Sequence, residues 1–247
     1  MAGTRILFGF HAVTVRLKVA PATVGALYVQ PERHDGRMRQ LLQRAEAAGL
    51  TVQHADATRL RQLAGNDRHQ GVVAQVQELP RQHSLDAVLD EVEGPPLLLV
   101  LDGVTDPHNM GACLRVADGA GAHAVVVPKD HAVGLNATVS KVASGAAEVM
   151  PFLMVTNLAR SLTELKERDI RIIGTSDDAP DSLYDIDLSG PVAWVLGAEG
   201  PGMRQLTRKT CDHLVHIPMR GTVDSLNVSV AAGICLYETL RQRKPAG

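Results

Sequence analysis

Apolar residues along this chain fall into two patterns. The first is the unbroken run: residues 97–104 read LLLVLDGV, 122–128 AHAVVVP, 170–176 IRIIGTS, 192–198 VAWVLGA and 213–219 HLVHIPM. A strand buried on both faces carries apolar residues at successive positions, so these runs predict a parallel sheet with helices on each side. The second pattern is helical spacing, which recurs over 109–120, 136–147, 157–168 and 227–243. Over 157–168, Leu158, Leu162 and Leu165 share one face and Asn157 suits the N-cap. The last pattern is apolar almost all round from Val228 to Tyr237 before it turns into RQRK. Such a helix needs burial in a core or a subunit interface.

The first part of the chain is patterned differently. Residues 24–30, VGALYVQ, have strand composition. Met38, Leu41, Leu42, Ala45 and Ala48 then recur at helical spacing, with Gly49 as the stop. Residues 50–55 and 71–77 read as strands that close the block. Residues 78–96 look like a connector bounded by Pro80 and Pro95-Pro96, with a short amphipathic helix of Leu85, Val88, Leu89 and Val92 inside it. The expected organisation is an N-terminal α/β domain over 1–78, a linker over 79–94 and a parallel-sheet α/β domain over 95–247.

Composition narrows the class without naming a function. The chain has 247 residues, 45% hydrophobic and 21% charged, which fits a soluble globular protein. No apolar run approaches the roughly 18 residues of a membrane span, and the N-terminus lacks the long apolar stretch of a secretory signal. Cys113, Cys211 and Cys235 are odd in number and form no CxxC pair, so a reduced, cytoplasmic setting is expected. The net charge of −2 does not advertise nucleic acid, but residues 1–90 carry +3 and residues 91–247 carry −5. An RNA partner would find its backbone contacts in the first part, where ten of eleven cations are arginine. Seven aromatic residues in all argue against a base-stacking platform.

Polar residues gather just after the buried runs. In TDPHNMGACLR, Asp106-Pro107 makes a turn and Asn109 suits the cap of the next helix. Gly111 permits close approach of a backbone or ligand, and Arg115 needs an anion, a solvated mouth or an ion pair to Asp102 or Asp118. GAEGPGM over 197–203 brings backbone near a ligand around one carboxylate, Glu199. That charge suits a cationic or zwitterionic ligand better than a phosphate, and the dinucleotide fingerprint GxGxxG is absent. In TVDSLNVS, Ser225 reads as an N-cap or, with Asn227, as part of a ligand-side hydrogen-bonding pair. Cys211, His213 and His216 have no standard zinc spacing and read as structural or surface residues.

Together these segments resemble the signature motifs of the SPOUT-superfamily RNA 2′-O-ribose methyltransferases of the TrmH group. Within that group they are similar to the enzymes that methylate a guanosine ribose in 23S ribosomal RNA. GFHAV (9–13) and HQGVVA (69–74) carry the resemblance in the N-terminal domain. DGVTDPHNMGACLR, PKDHAVGLNATVSKVASGAAE, GAEGPGM and IPMRGTVDSLNVSVAAGICLYE carry it in the rest, while Pro201 and Asp224 fall at places that vary in the family.

The resemblance implies a small, ribosomal-protein-like α/β RNA-binding domain followed by a Rossmann-like parallel-sheet SPOUT domain with a C-terminal trefoil knot. It implies a cytoplasmic homodimer that acts on 23S rRNA or its precursor particle, with no metal and no membrane. S-adenosyl-L-methionine would bind against Gly197, Ile217, Met219 and Leu226, and Asn109, Arg115, Glu199, Ser225 and Asn227 would form the catalytic set. Family proposals make the arginine a general base; a permanently charged guanidinium serves more readily as a phosphate clamp and charge stabiliser. The competing readings are a tRNA 2′-O-ribose methyltransferase, a non-catalytic RNA-binding or ribosome-assembly protein, and a nicotinamide-dependent oxidoreductase that the missing fingerprint disfavours.

Overall fold

The computed structural model describes residues 3–77 and 84–244. The chain divides into two compact units between residues 81 and 82.

The first unit runs β1 (Thr4–Phe8), α1 (Phe10–Val19), β2 (Val24–Val29), α2 (Gly36–Ala47), β3 (Val52–His54), α3 (Ala57–Ala64) and β4 (Val72–Gln77). Its sheet has the order β1-β4-β2-β3, with β4 antiparallel to both neighbours and β2 parallel to β3. One face packs Leu7, Val29 and Ala74 on Val13 and Leu17 of α1 and Met38 and Leu41 of α2. On the other face, Val73 and Tyr28 pack on Leu60 of α3. Asp35 and Asp56 cap α2 and α3 with their carboxylates. The elements over 4–19 and 57–64 add to those the hydrophobic pattern predicts.

Residues 79–83 of the expected linker lie outside the described residues. Residues 85–90 form the short helix α4 (Leu85–Asp90), and its Val88 is buried with the core of the second unit.

The second unit continues β5 (Leu97–Asp102), α5 (Pro107–Gly119), β6 (Ala124–Pro128), α6 (Ala137–Val142), α7 (Ala146–Val149), β7 (Phe152–Val155), α8 (Leu158–Glu167) and β8 (Arg171–Thr175). It ends β9 (Asp181–Ser182), β10 (Val192–Gly197), α9 (Gln205–Thr210), β11 (His213–His216) and α10 (Val228–Arg243). The sheet order is β7-β6-β5-β10-β8-β11-β9, and each pair of neighbours is parallel.

The two faces explain the unbroken apolar runs. Leu97, Leu99 and Leu101 of β5, Val125 of β6 and Trp194 of β10 point into a core shared with α5 and α10. Leu98 and Val100 of β5, Val126 of β6 and Val195 of β10 point into a second core shared with α8. Successive side chains leave a strand on opposite faces, so both sets must be apolar. The pattern over 136–147 is two helices rather than one, because Ser144 (φ 51°) and Gly145 (φ 96°) turn the chain between α6 and α7. The strand order reverses between β5 and β10, the place where an open α/β sheet leaves a crevice at its carboxyl edge.

Candidate active site

Two strand ends lie side by side at that crevice, because Gly197 at the end of β10 is paired with Asp102 at the end of β5. After Gly197 the chain folds tightly over its own strand end, with Gly202 N donating to the Ala198 carbonyl at 3.0 Å. A Cβ on Gly197 would stand 2.1 Å from the Gly202 carbonyl carbon and 2.2 Å from Met203 N, so only glycine fits there. The loop closes where the buried Asp102 carboxylate accepts Arg204 N at 2.9 Å and Arg204 Nε at 2.7 Å.

This loop presents Glu199. Its Oε1 accepts Asn227 Nδ2 at 2.7 Å, Asn109 Nδ2 at 3.2 Å and Val228 N at 3.3 Å. Asn227 Nδ2 also donates to Asn109 Oδ1 at 2.8 Å. One carboxylate oxygen thus gathers the first turn of α5 and the start of α10 onto the loop after β10.

Capping explains why these amides are available. Asp106, not Asn109, caps α5, accepting His108 N at 2.6 Å and Asn109 N at 3.4 Å. Asn109 sits three positions beyond the cap, inside the first turn, and its side chain reaches Glu199 instead. At the other helix Asn227, not Ser225, is the cap: its Oδ1 accepts Ser229 N while its Nδ2 faces the cluster. The amide therefore uses both ends, one for the helix and one for the site.

Beside the cluster lies a cavity of about 310 Å³ walled by the loops after β8, β10 and β11 and by the start of α10. Gly197, Ile217, Met219 and Leu226 all line it, as do Glu199 and Ser225. Arg115 stands apart: it is exposed on α5 and makes no hydrogen bond or ion pair among the described residues. Asp102 is committed to Arg204, which removes it as a partner for Arg115. Gly111 accommodates backbone rather than ligand, since a Cβ there would lie 2.8 Å from the Val139 carbonyl oxygen of α6.

Electrostatics near the site are simple. Burial, with a contribution from the Glu199 charge, pushes the Cys113 thiol up to about 12, so it stays neutral one turn beyond Asn109. Cys211, His213 and His216 turn to separate partners: the Thr207 carbonyl, Asp181 and the Ala179 carbonyl. Among the described residues no cluster of His, Cys, Asp and Glu could hold a metal ion, and no helix is long and apolar enough to cross a membrane.

The SpoU rRNA Methylase family matches residues 96–237. The chain belongs to the SpoU rRNA methylase family. That match begins at β5 and runs into α10, so it spans the whole cluster and cavity. In this SpoU methylase a second family, described as RNA 2'-O ribose methyltransferase substrate binding, matches residues 6–82. The 23S rRNA (guanosine-2'-O-)-methyltransferase RlmB of Ralstonia nicotianae is 60% identical over 98% of each chain. The crystal structure of an RNA 2'-O ribose methyltransferase aligns with a TM-score of 0.75 at 28% identity, covering 97% of this chain and 89% of that one. The SpoU methyltransferase AviRb from Streptomyces viridochromogenes, in complex with the cofactor AdoMet, aligns with a TM-score of 0.75 at 25% identity over 98% and 91% of the chains.

The SpoU methylase cavity also has walls that motif reading missed. Thr175 ends β8 and Ser176 and Asp177 follow it, and Arg208 of α9 donates to Ser176 Oγ at 2.7 Å and to Asp178 at 2.8 Å. The signal was in the sequence: IRIIG runs straight into TSDD, the same buried-strand-then-polar-loop pattern as at the other strand ends.

Proposed function

We propose that this chain transfers a methyl group from S-adenosyl-L-methionine to the ribose 2′-hydroxyl of a specific guanosine in 23S rRNA or its precursor particle. The observation that carries this reading is the meeting of Asn109, Glu199 and Asn227 at the rim of the cavity, in a chain whose two units match a substrate-binding and a methylase family.

The cavity's chemistry fits the cofactor. Its volume of about 310 Å³ is within the ordinary range for a small-molecule site. Leu196, Ile217, Leu226 and Val228 offer apolar walls for a purine, while Asp177, Glu199 and Asp224 supply carboxylates complementary to a sulfonium and an ammonium. Arg208 adds no free positive charge, because Asp178 accepts both of its hydrogen bonds to a carboxylate. When bound, the cofactor supplies the electrophilic methyl and the leaving sulfide.

The protein's part is orientation and charge. Glu199 orients the two amides around it, and Asn109 and Ser225 order the backbone beside the acceptor ribose. Arg115, whose side chain has no partner among the described residues, clamps the phosphate next to that ribose and stabilises the 2′-oxygen as its proton passes to water. The arginine-rich first unit binds RNA backbone.

Three further features belong to the same reading. The enzyme is a cytoplasmic homodimer, supported by Val230 and Tyr237 of α10, each half exposed in the single chain. Buried, protonated thiols at Cys113 and Cys235 suit a reducing compartment. The same reading includes a C-terminal trefoil knot; Ile217, Met219 and residues 224–226 lining the cavity just before α10 packs on β10 and β5 support it.

The test is methyl transfer from labelled S-adenosyl-L-methionine to unmodified 23S rRNA, tRNA and precursor particles, read by nucleoside mass spectrometry. The expected product is 2′-O-methylguanosine in 23S rRNA or its particle. Label in tRNA alone would move the assignment to a tRNA enzyme. Cofactor binding with no transfer to any RNA would leave a non-catalytic RNA-binding role.

A further inference from the structure

Asp102 lies outside the polar cluster, yet it holds both ends of the loop that carries Glu199. Its backbone is in register with Gly197, the residue that begins the loop. Its carboxylate takes Arg204 N at 2.9 Å on one oxygen and Arg204 Nε at 2.7 Å on the other, at the residue that ends the loop. The Asp102 side chain is 0% exposed and that of Arg204 47%, so a buried anion is answered by a cation that reaches in from the surface. Burying a carboxylate is costly unless it is paired and hydrogen-bonded, and here both main-chain and side-chain donors come from one residue. The same Asp102 leads directly into the turn that carries Asn109. Gly103, at φ 87°, starts that turn, and a Cβ there would lie 3.5 Å from Ala198 Cβ of the loop.

We infer that Asp102, through Arg204, is a positioning residue for methyl transfer: it sets where Glu199 stands relative to Asn109 and Asn227. This rests on the methyltransferase reading above. Asp102 does not line the cavity; it fixes the loop that does. The Asp102–Arg204 pin and the Glu199 cluster act in series, so damage to either one removes the same alignment.

The experiment measures kcat at saturating cofactor, cofactor affinity and amide hydrogen exchange for wild type, Asp102→Asn, Arg204→Gln, Arg204→Lys, Glu199→Gln and the Asp102→Asn/Glu199→Gln double variant. Asp102→Asn and Arg204→Gln are each expected to lower kcat by roughly tenfold or more, the scale of ångström-level misplacement. Arg204→Lys, which keeps the charge and the backbone donor, recovers part of the loss. The double variant is no slower than the slower single variant. Wild-type kcat in Asp102→Asn, or multiplied losses in the double variant, would overturn the positioning role. Arg204→Lys keeps a cation beside the buried Asp102 carboxylate, so its partial loss of kcat carries the test if Asp102→Asn or Arg204→Gln does not fold. If wild type binds cofactor but methylates no RNA, the functional reading fails by itself. The pin is then judged by exchange: the Arg204 and Gly202 amides should exchange at least about tenfold faster in Asp102→Asn, and unchanged exchange refutes it.

Discussion

Replacing Gly197 by alanine is the most direct challenge to the site's geometry. The new methyl would sit 2.1 Å from the Gly202 carbonyl carbon, 2.2 Å from Met203 N and 2.5 Å from the Gly202 oxygen. Ordinary contact begins near 3.4 Å, so the backbone at 202–203 must retreat by about 1.3 Å. These are main-chain atoms held by the Ala198–Gly202 bridge and by Arg204, and no flexible side chain can absorb the shift. Glu199 lies within the displaced segment. Its bonds to Asn109 at 3.2 Å and Val228 N at 3.3 Å are long enough that a shift of this size breaks them. The expected cost is roughly 10²-fold in kcat, the scale for a 1 Å misplacement. Overpacking adds about 1–3 kcal/mol of lost stability. Methyl-transfer kinetics measure the first effect and urea unfolding the second, and calorimetric titration with cofactor reports on the cavity. Gly190→Ala is the control: nothing lies within 4 Å of its Cβ position, so activity and stability should match wild type. Wild-type kcat and cofactor affinity in Gly197→Ala would refute the argument.

Other consequences are equally open to measurement. Arg115→Ala should abolish turnover without lowering the unfolding midpoint, since Arg115 has no partner among the described residues; Arg115→Lys should keep some activity if the role is electrostatic and none if the guanidinium is the base. Thr239→Val leaves the buried Trp194 indole N–H, now 2.8 Å from Thr239 Oγ1, without an acceptor, and should cost about 1–3 kcal/mol in urea unfolding while Thr239→Ser costs less. Burial holds His123 below its ordinary value of 6.5, and its Nδ1 accepts Leu97 N–H at 3.0 Å, a bond made only while that nitrogen is unprotonated. The unfolded chain therefore binds this proton more readily, so the stability from neutral His123 is present above pH 6.5 and is lost as pH falls from there toward the folded-state value. An NMR titration of His123 with a midpoint at or above 6.5 would contradict this.

Much of the second unit could be read from residue patterns because its strands feed two cores at once. Val/Leu/Ile runs announce β5, β6, β8, β10 and β11. β7 escaped because it is a four-residue edge strand with Met154 43% exposed, and β9 because it is two residues long. In the first unit, α3 is short and arginine-rich, and only its Leu60 is buried, too little for a periodic signal. The polar residues of the cluster stood out singly for their placement after buried runs. That Asn109, Glu199 and Asn227 touch is a long-range fact: 118 residues separate the two asparagines, and helical spacing carries no information at that distance. Caps were misassigned for the same reason. Asn109 and Ser225 are good cap residues locally, but Asp106 and Asn227 already fill those places, and only the folded chain shows which competitor wins.

Arg243, at the end of α10, donates to the carbonyls of Pro95, Pro96, Leu188 and Gly190. These are the chain segments that lead into β5 and β10, the two middle strands beside the crevice. Together with Asn227 at its other end, α10 is thus a bolt that fastens the amino ends of those strands and completes the cluster at their carboxyl ends. During vectorial synthesis a nascent chain that has not yet emitted α10 lacks the Asn227 amide, one wall of the cavity and the four-carbonyl fastening together. A chain stopped before Asn227 is therefore expected to lose the cluster, the cavity wall and the fastening of both strands together.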